Sequence, residues 1–192
     1  DYWINNAGRA TSRFLVPDLP EDLVHTLIDG NLKGTVFGSQ VAMAGFRRQG
    51  FGALYNMLGG SYEGKRLTPN MGVYSATKAG DWMLTKYLVA ENKDPSIIVG
   101  AISPGMLITE NWFDEQKQMS PGDWQKIRPV LNILCDYVET STPWLVEQVL
   151  ANRAPPTSGG KAPRLFYITQ AETSPPLFVV IAALGEGLGI GV

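Results

Sequence analysis

Ala53-Leu54-Tyr55-Asn56-Met57-Leu58 and, further along, Ile97-Ile98-Val99-Gly100-Ala101-Ile102 are the two stretches that decide the fold. Each is a short, nearly unbroken apolar run. Such a run fits a strand covered on both faces better than one with a wet face. Between them, residues 73–91 carry a helical period: Tyr74, Lys78 and Trp82 fall on one row, Ala79, Met83 and Tyr87 on another, Leu84 and Leu88 on a third. Asp94-Pro95 ends that helix. Strand, helix, strand in this order reads as a parallel pair joined by a crossover.

Working outward, the same alternation continues. Tyr2-Trp3-Ile4 is a short β-favouring run closed by the turn Asn5-Asn6-Ala7-Gly8. Pro20-Glu21-Asp22 opens a helix in which Leu23, Val24, Leu27, Ile28, Leu32 and Val36 recur toward Arg48. Ser103-Pro104-Gly105 ends the strand at 97–102. Residues 106–128 read as irregular or partly helical, 142–152 as a helix, and 154–163 as a Pro/Gly linker. Leu165-Phe166-Tyr167-Ile168 is strand-like, and 175–192 is an apolar, Gly-rich tail. Strands alternating with long helices predict an α/β fold with a parallel sheet.

Composition narrows the function classes. The chain has 192 residues, 44% hydrophobic and 18% charged, with a net charge of −2. That is an ordinary globular composition. The near-neutral charge argues against a nucleic-acid partner. The single cysteine, Cys135, excludes an intrachain disulfide and fits a reducing compartment. With the single histidine, His25, it leaves no zinc site of the usual ligand types, so no metal is expected. The apolar stretch 177–185 is too short to span a bilayer. The chain starts Asp1-Tyr2-Trp3, without an initiating Met, and reads as incomplete at one or both ends.

The chemistry concentrates around Tyr74. Tyr74 and Lys78 are four apart and share a helix face. An ammonium near a phenol favours the phenolate, which would bring Tyr74 toward working pH as a general acid or base. Ser61 lies upstream across a loop that could fold back, so that its hydroxyl polarises a substrate carbonyl. Taken alone, a Tyr and a Lys at this spacing more often mark a solvated helix face.

Context changes that weighting. Asn5-Asn6-Ala7-Gly8, then Asn31-Leu32-Lys33-Gly34, then Ser61, then Tyr74-Ser75-Ala76-Thr77-Lys78, then Ser103-Pro104-Gly105 with Thr109, follow one another in a fixed order. In those motifs and that order the chain resembles the short-chain dehydrogenase/reductase family over residues 1–110. The resemblance implies a Rossmann-type, doubly wound parallel sheet binding NAD or NADP, with NADP favoured. It implies that Tyr74 is the proton donor, that Lys78 lowers its pKa and holds the nicotinamide ribose, and that Ser61 orients the carbonyl. Asn31 would hold a water in a proton relay to Lys78. Asn6, Ala7 and Gly8 would line the adenosine side, and Pro104, Gly105 and Thr109 the carboxamide end.

The departures are also specific. The family's Gly-rich phosphate turn is expected before Asn5 and is not there, so the sheet reads as truncated before its fourth strand. Residues 1–170 then form a partial Rossmann domain, the catalytic half, and 171–192 a tail. Leu184 to Gly191 fits the spacing of that turn, as in a permuted chain, but reads more simply as a Gly-rich end.

Asn56-Met57-Leu58-Gly59-Gly60-Ser61, Ser103-Pro104-Gly105-Met106 and Gly160-Lys161-Ala162 look most like chlorophyll b reductases, which reduce a formyl group on a chlorin ring with NADPH. Met106, Leu107, Trp112, Phe113, Met119 and Trp124 read as an apolar lid for a large, flat, lipophilic carbonyl substrate, or as ordinary lid packing.

Two functions follow. One is an NAD(P)H-dependent carbonyl reductase or alcohol dehydrogenase. The other is a non-catalytic subunit serving as a scaffold in a larger complex, with the tail on a partner or membrane surface. Oligomers are expected through the helix carrying Tyr74. The compartment is expected to be cytoplasm or, for a chlorophyll b reductase relative, chloroplast.

Overall fold

The computed structural model describes residues 1–11, 14–65, 67–152 and the strand at 166–169. Its main sheet contains β1 (Tyr2–Asn5), β2 (Gly52–Met57), β3 (Ile97–Ser103) and β6 (Phe166–Thr169), in the order β1-β2-β3-β6 and parallel throughout. A small parallel pair, β4 (Met106–Ile108) with β5 (Cys135–Tyr137), stands apart. The helices are α1 (Glu21–Leu27), α2 (Gly34–Gln49), α3 (Gly72–Glu91), α4 (Glu110–Gln118), α5 (Pro121–Leu134) and α6 (Val138–Ala151). Among the described residues no helix is long and apolar enough to cross a membrane.

Alternate side chains of β2 and β3 go to opposite faces, as the pleat requires. Leu54, Ile97 and Val99 join Ala42, Met43 and Phe46 of α2, with Leu88 and Val89 of α3 packed against them. Ala53, Tyr55, Ile98 and Ile102 face the other way and pack on Leu145 and Val149 of α6. Both faces are therefore covered, which explains why these strands read as continuous apolar runs. The Tyr55 hydroxyl, buried in the second cluster, accepts a hydrogen bond from Asn152 Nδ2 at 2.6 Å. The strands and helices confirm the Rossmann-type α/β fold, and they fall close to the predicted bounds.

Three differences are informative. The long helix expected from Pro20 to Arg48 is one rod with a π-helical segment, Ile28–Lys33, set between α1 and α2. Residues 106–128 are more regular than expected. β4 depends on pairing with β5, nearly thirty residues downstream, which no local pattern reveals. α5 is started by Ser120, whose Oγ accepts from the Asp123 N–H at 3.1 Å, with Pro121 at its first position. α6 begins at Val138, ahead of the expected 142, and carries Pro143 in its interior, where proline normally signals a boundary. The expected linker at 154–163 and the tail at 171–192, with its Gly-rich motif, lie outside the described residues.

Leu54 is fully buried between the sheet and the α2–α3 layer. Leu54→Ala should cost about 2–5 kcal/mol of stability. Urea unfolding should show this as a lower midpoint with an unchanged slope.

Candidate functional site

The site forms where the carboxyl ends of β1 and β2 meet the first turns of α3. Two loops converge there. The segment after β1 packs through Val16 against Gly72, the first residue of α3, where a side chain would collide with it. The loop from Leu58 to Met71 is pinned on α3 by an edge-on contact between Tyr62 and Trp82, ring centres 5.6 Å apart. Lys86 caps the Trp82 ring at 4.9 Å.

Beneath these loops runs a polar seam. Asn5 Nδ2 donates to Asn56 Oδ1 at 2.8 Å and to Ser39 Oγ at 3.1 Å. Gly38 gives it room, since a side chain there would overlap Asn5. Asn56 Nδ2 donates to Thr85 Oγ1 at 2.9 Å, and Thr85 Oγ1 donates to the Asp81 carbonyl at 2.7 Å. Asn56, Thr85, Asp81, Ser39 and Thr35 are all buried, so each hydrogen bond replaces water that cannot reach them.

Lys78 ends this seam. It is 4% exposed, and its Nζ donates to the Met57 carbonyl at 2.9 Å and to Asp81 Oδ2 at 3.0 Å. An ammonium has three hydrogens. The third has no partner among the described residues, and it is available to a bound molecule. Gly8 lies beside it: a Cβ there would stand 3.7 Å from Lys78 Nζ and 3.3 Å from Asn31 Oδ1. The bare glycine leaves a cradle over the ammonium.

Tyr74 lies one helical turn before Lys78, on the same face. Its hydroxyl packs against Gly59, where any side chain would overlap it. Burial pushes the Tyr74 phenol above the usual tyrosine range, and the negative charge of Asp81 adds to the shift. The sequence pattern predicts the opposite direction, with Lys78 favouring the phenolate. The reversal comes first from burial and then from Asp81, which also pairs with the Lys78 ammonium.

The remaining expected residues divide. Asn31 is fully buried in the π segment. Its side chain accepts from Arg9 N at 2.7 Å and donates to Arg9 O at 2.8 Å and Thr77 Oγ1 at 3.1 Å. It thus ties the loop after β1 to α3. Its carbonyl accepts from Thr35 Oγ1 at 2.6 Å.

Ser61 has a positive φ of 64° in the loop, and its Oγ stands 3.5 Å from Thr68 Oγ1. No hydrogen bond joins it to Tyr74 among the described residues. Asn6 and Ala7 are exposed beyond β1. Pro104 is half-buried, Gly105 takes a φ of 80°, and Thr109 caps α4 with its side chain uncommitted.

Asp81 and Gly59 are the residues that sequence reasoning missed. Asp81 follows Lys78 by three and therefore shares its helix face, a signal present in the sequence. Gly59 could be placed against Tyr74 only by the fold.

A small pocket of mixed lining lies beside Tyr74, between Phe14, Val16, Leu19, Leu27, Asn70 and Val73. Thr11 also lines it, and the buried Thr11 Oγ1 has no hydrogen-bond partner among the described residues. The aromatic lid residues lie on β4, α4 and α5. Phe113 is exposed, and Trp112, Met119 and Trp124 are half-buried. His25 and Cys135 take no part: His25 is exposed on α1, and Cys135 is half-buried in β5.

Fold and site together define a Rossmann-type α/β protein presenting a Tyr–Lys pair at the carboxyl ends of its strands. The family model for short chain dehydrogenase matches residues 1–120, and the chain belongs to that family. An uncharacterised oxidoreductase of Staphylococcus aureus (strain USA300) is 33% identical over 129 residues, covering 67% of this chain and 53% of that protein. A protein of Arabidopsis thaliana named as a probable chlorophyll(ide) b reductase, chloroplastic, is 28% identical over 147 residues, 77% of this chain and 28% of its own length. The chain thus spans about half, or less, of these curated relatives.

Among solved structures, a gluconate 5-dehydrogenase from Burkholderia cenocepacia J2315 in complex with NADP and tartrate matches with a TM-score of 0.66 at 20% identity, over 91% of this chain and 65% of that one. A 4-hydroxyisoleucine dehydrogenase complexed with NADH matches at 0.52 and 28% identity, over 62% of this chain and 51% of that one. A second family model, KH-domain-like of EngA bacterial GTPase enzymes, matches residues 143–188. Its described part includes β6, which pairs in parallel with β3 and so continues the Rossmann sheet.

The buried phenol has a pH consequence. Because the folded-state pKa of Tyr74 is raised, its contribution to stability is complete below the unfolded value of about 10 and is lost as pH rises through the folded value. Denaturant midpoints should therefore fall above about pH 10. They should fall less steeply in Tyr74→Phe.

Proposed function

We propose that this chain carries the catalytic half of an NAD(P)H-dependent carbonyl reductase, working in reverse as an alcohol dehydrogenase. The observation that carries this reading is the arrangement of Lys78, Tyr74 and Gly8. A buried ammonium keeps one donor free, a glycine leaves space above it, and a phenol lies one turn away beside a small pocket. These groups fit a nicotinamide nucleotide. Lys78 and the Gly8 cradle suit a sugar hydroxyl, Asn6 and Ala7 continue that edge, and Pro104, Gly105 and Thr109 edge the other side.

The bound dihydronicotinamide would supply the hydride. Everything else falls to the chain. Tyr74, held protonated by its surroundings, gives its proton to the oxygen of the reduced carbonyl. Lys78 holds the cofactor sugar and steadies the phenolate left behind. Asn31 supports the relay that returns a proton through its carbonyl and Lys78. Ser61 would meet the substrate oxygen by turning its loop from Thr68. Thr11 offers an unmet polar partner inside the pocket.

The aromatic and apolar residues on β4, α4 and α5 support a lipophilic carbonyl compound as the substrate. The similarity to the Arabidopsis protein supports a formyl group on a chlorin ring as the substrate class. It equally supports a chloroplast setting, with cytoplasm the alternative; the lone cysteine fits either reducing compartment. NADP is favoured over NAD on the same grounds. A homo-oligomer through α3, or a larger complex with peripheral membrane contact through the tail, belongs to the same proposal.

The test uses the full chain with NADPH or NADH and an aromatic aldehyde. Cofactor should raise the melting temperature, and aldehyde should be reduced. Tyr74→Phe should keep the thermal shift and lose about 10²–10⁴-fold in kcat/KM. If neither cofactor gives a thermal shift and no turnover is seen, the reductase reading fails and the non-catalytic scaffold is favoured.

A further inference from the structure

Lys78 is answered by a carboxylate that the proposed reaction does not otherwise use. Asp81 is fully buried. Its Oδ2 stands 3.0 Å from Lys78 Nζ, the two side chains being 0% and 5% exposed. A buried ion pair of this kind is not a device for stability, because desolvating both charges offsets their attraction. Nor is its geometry fully satisfied: Asp81 Oδ1 has no hydrogen-bond partner among the described residues. The nearby Thr35 hydroxyl has one hydrogen, and it goes to the Asn31 carbonyl at 2.6 Å. An incompletely bonded buried carboxylate is costly, so a functional role deserves to be sought for it.

Its surroundings point to one. Three groups meet on one side of α3: Tyr74 and Lys78, one turn apart, and Asp81, less than a turn beyond. From β2 comes the Met57 carbonyl, which holds a second hydrogen of the ammonium at 2.9 Å. From α2 and the π segment come the uncharged Thr35 and Asn31. The charged groups of that π segment, Asp29 and Lys33, face solvent and pair with each other at 2.6 Å. Among the described residues the charge that acts on Tyr74 is that of Asp81, to which the Lys78 ammonium is paired.

We propose, building on the reductase reading, that Asp81 is the positioning residue of this site. Its carboxylate fixes the Lys78 ammonium against Met57, leaving the third N–H for ligand, and offsets its positive charge. Tyr74 therefore keeps its proton to higher pH than an unopposed Lys78 would allow, and the basic form that alcohol oxidation needs is reached only at more alkaline pH. The raised phenol and the Asp81 contribution to it agree with this.

The test reads Tyr74 directly and needs no turnover. Alkaline titration of tyrosinate absorbance, taken as the difference between a protein and its Tyr74→Phe partner, isolates this phenol. In the wild type it should titrate above ordinary tyrosine; a value below it would mean that Lys78 acts unopposed and would overturn the proposal. In Asp81→Asn the titration should drop by about one unit or more, since a like charge is removed and the ammonium is freed. Asp81→Glu, which keeps the charge, should stay near the wild type. No change in Asp81→Asn, or an equal drop in Asp81→Glu, would also overturn it. Should Asp81→Asn fail to fold with its unpaired ammonium, Asp81→Ser, which leaves room for water beside it, replaces it with the same expected drop, and no drop would overturn the proposal.

Where turnover is measurable, Asp81→Asn should shift the pH profile of alcohol oxidation to lower pH. Absence of turnover in the wild type would count against the reductase reading alone, while the titration would still report on Asp81.

Discussion

A lysine ammonium taken out of water governs this structure. Removing such a charge from solvent costs several kcal/mol unless partners replace the water. Lys78 is almost fully buried at the end of the α2–α3 seam, so the fold has to supply those partners. It supplies a strand-end carbonyl, Met57, and a carboxylate, Asp81. Both requirements propagate. The carbonyl must come from the last residue of β2, which fixes where the strand ends relative to α3. The carboxylate must lie on the Lys78 face of the helix, which places a second buried charge in the layer between helices.

That layer is polar for the same reason. Asn5, Ser39, Asn56, Thr85 and Thr35 form a continuous hydrogen-bonded seam beneath the ion pair, between an otherwise apolar sheet and its two covering helices. The seam ties β1, β2, α2 and α3 in one register, because moving any of them leaves buried donors unpaired. The apolar clusters on the two faces of the sheet provide cohesion. The seam provides alignment, and with it the position of Tyr74 and of the Gly8 cradle.

Much of this was legible in the sequence. The strands at 2–5, 52–57 and 97–103 were visible as apolar runs because both faces of the sheet are covered, and α3 was visible from its period and from Asp94-Pro95. The Tyr74–Lys78 pair was visible because a spacing of four is a helix face and because the order of motifs around it resembles the short-chain dehydrogenase family. β5 was not visible, since three residues paired to a distant three carry no local period. α6 was seen late because Pro143 lies within it. In the site, Asp81 could be placed on the lysine face but not known to be buried. Ser61 sat at a plausible spacing, yet its loop turns it to Thr68 and sets Gly59 against the phenol.

The sequence by itself determined the α/β class, the order of strands and helices, and the identity of the Tyr–Lys pair. The first two depend on periodicity along one chain, which local physics sets; the pair was singled out by the resemblance of its motif order to a family. Tertiary structure alone decided the electrostatics of that pair. Whether an ammonium lowers a phenol's pKa depends on which third charge is nearby and on how much water remains. Those are properties of packing between α2, α3 and the end of β2, and here they reverse the direction that the Tyr–Lys spacing suggests.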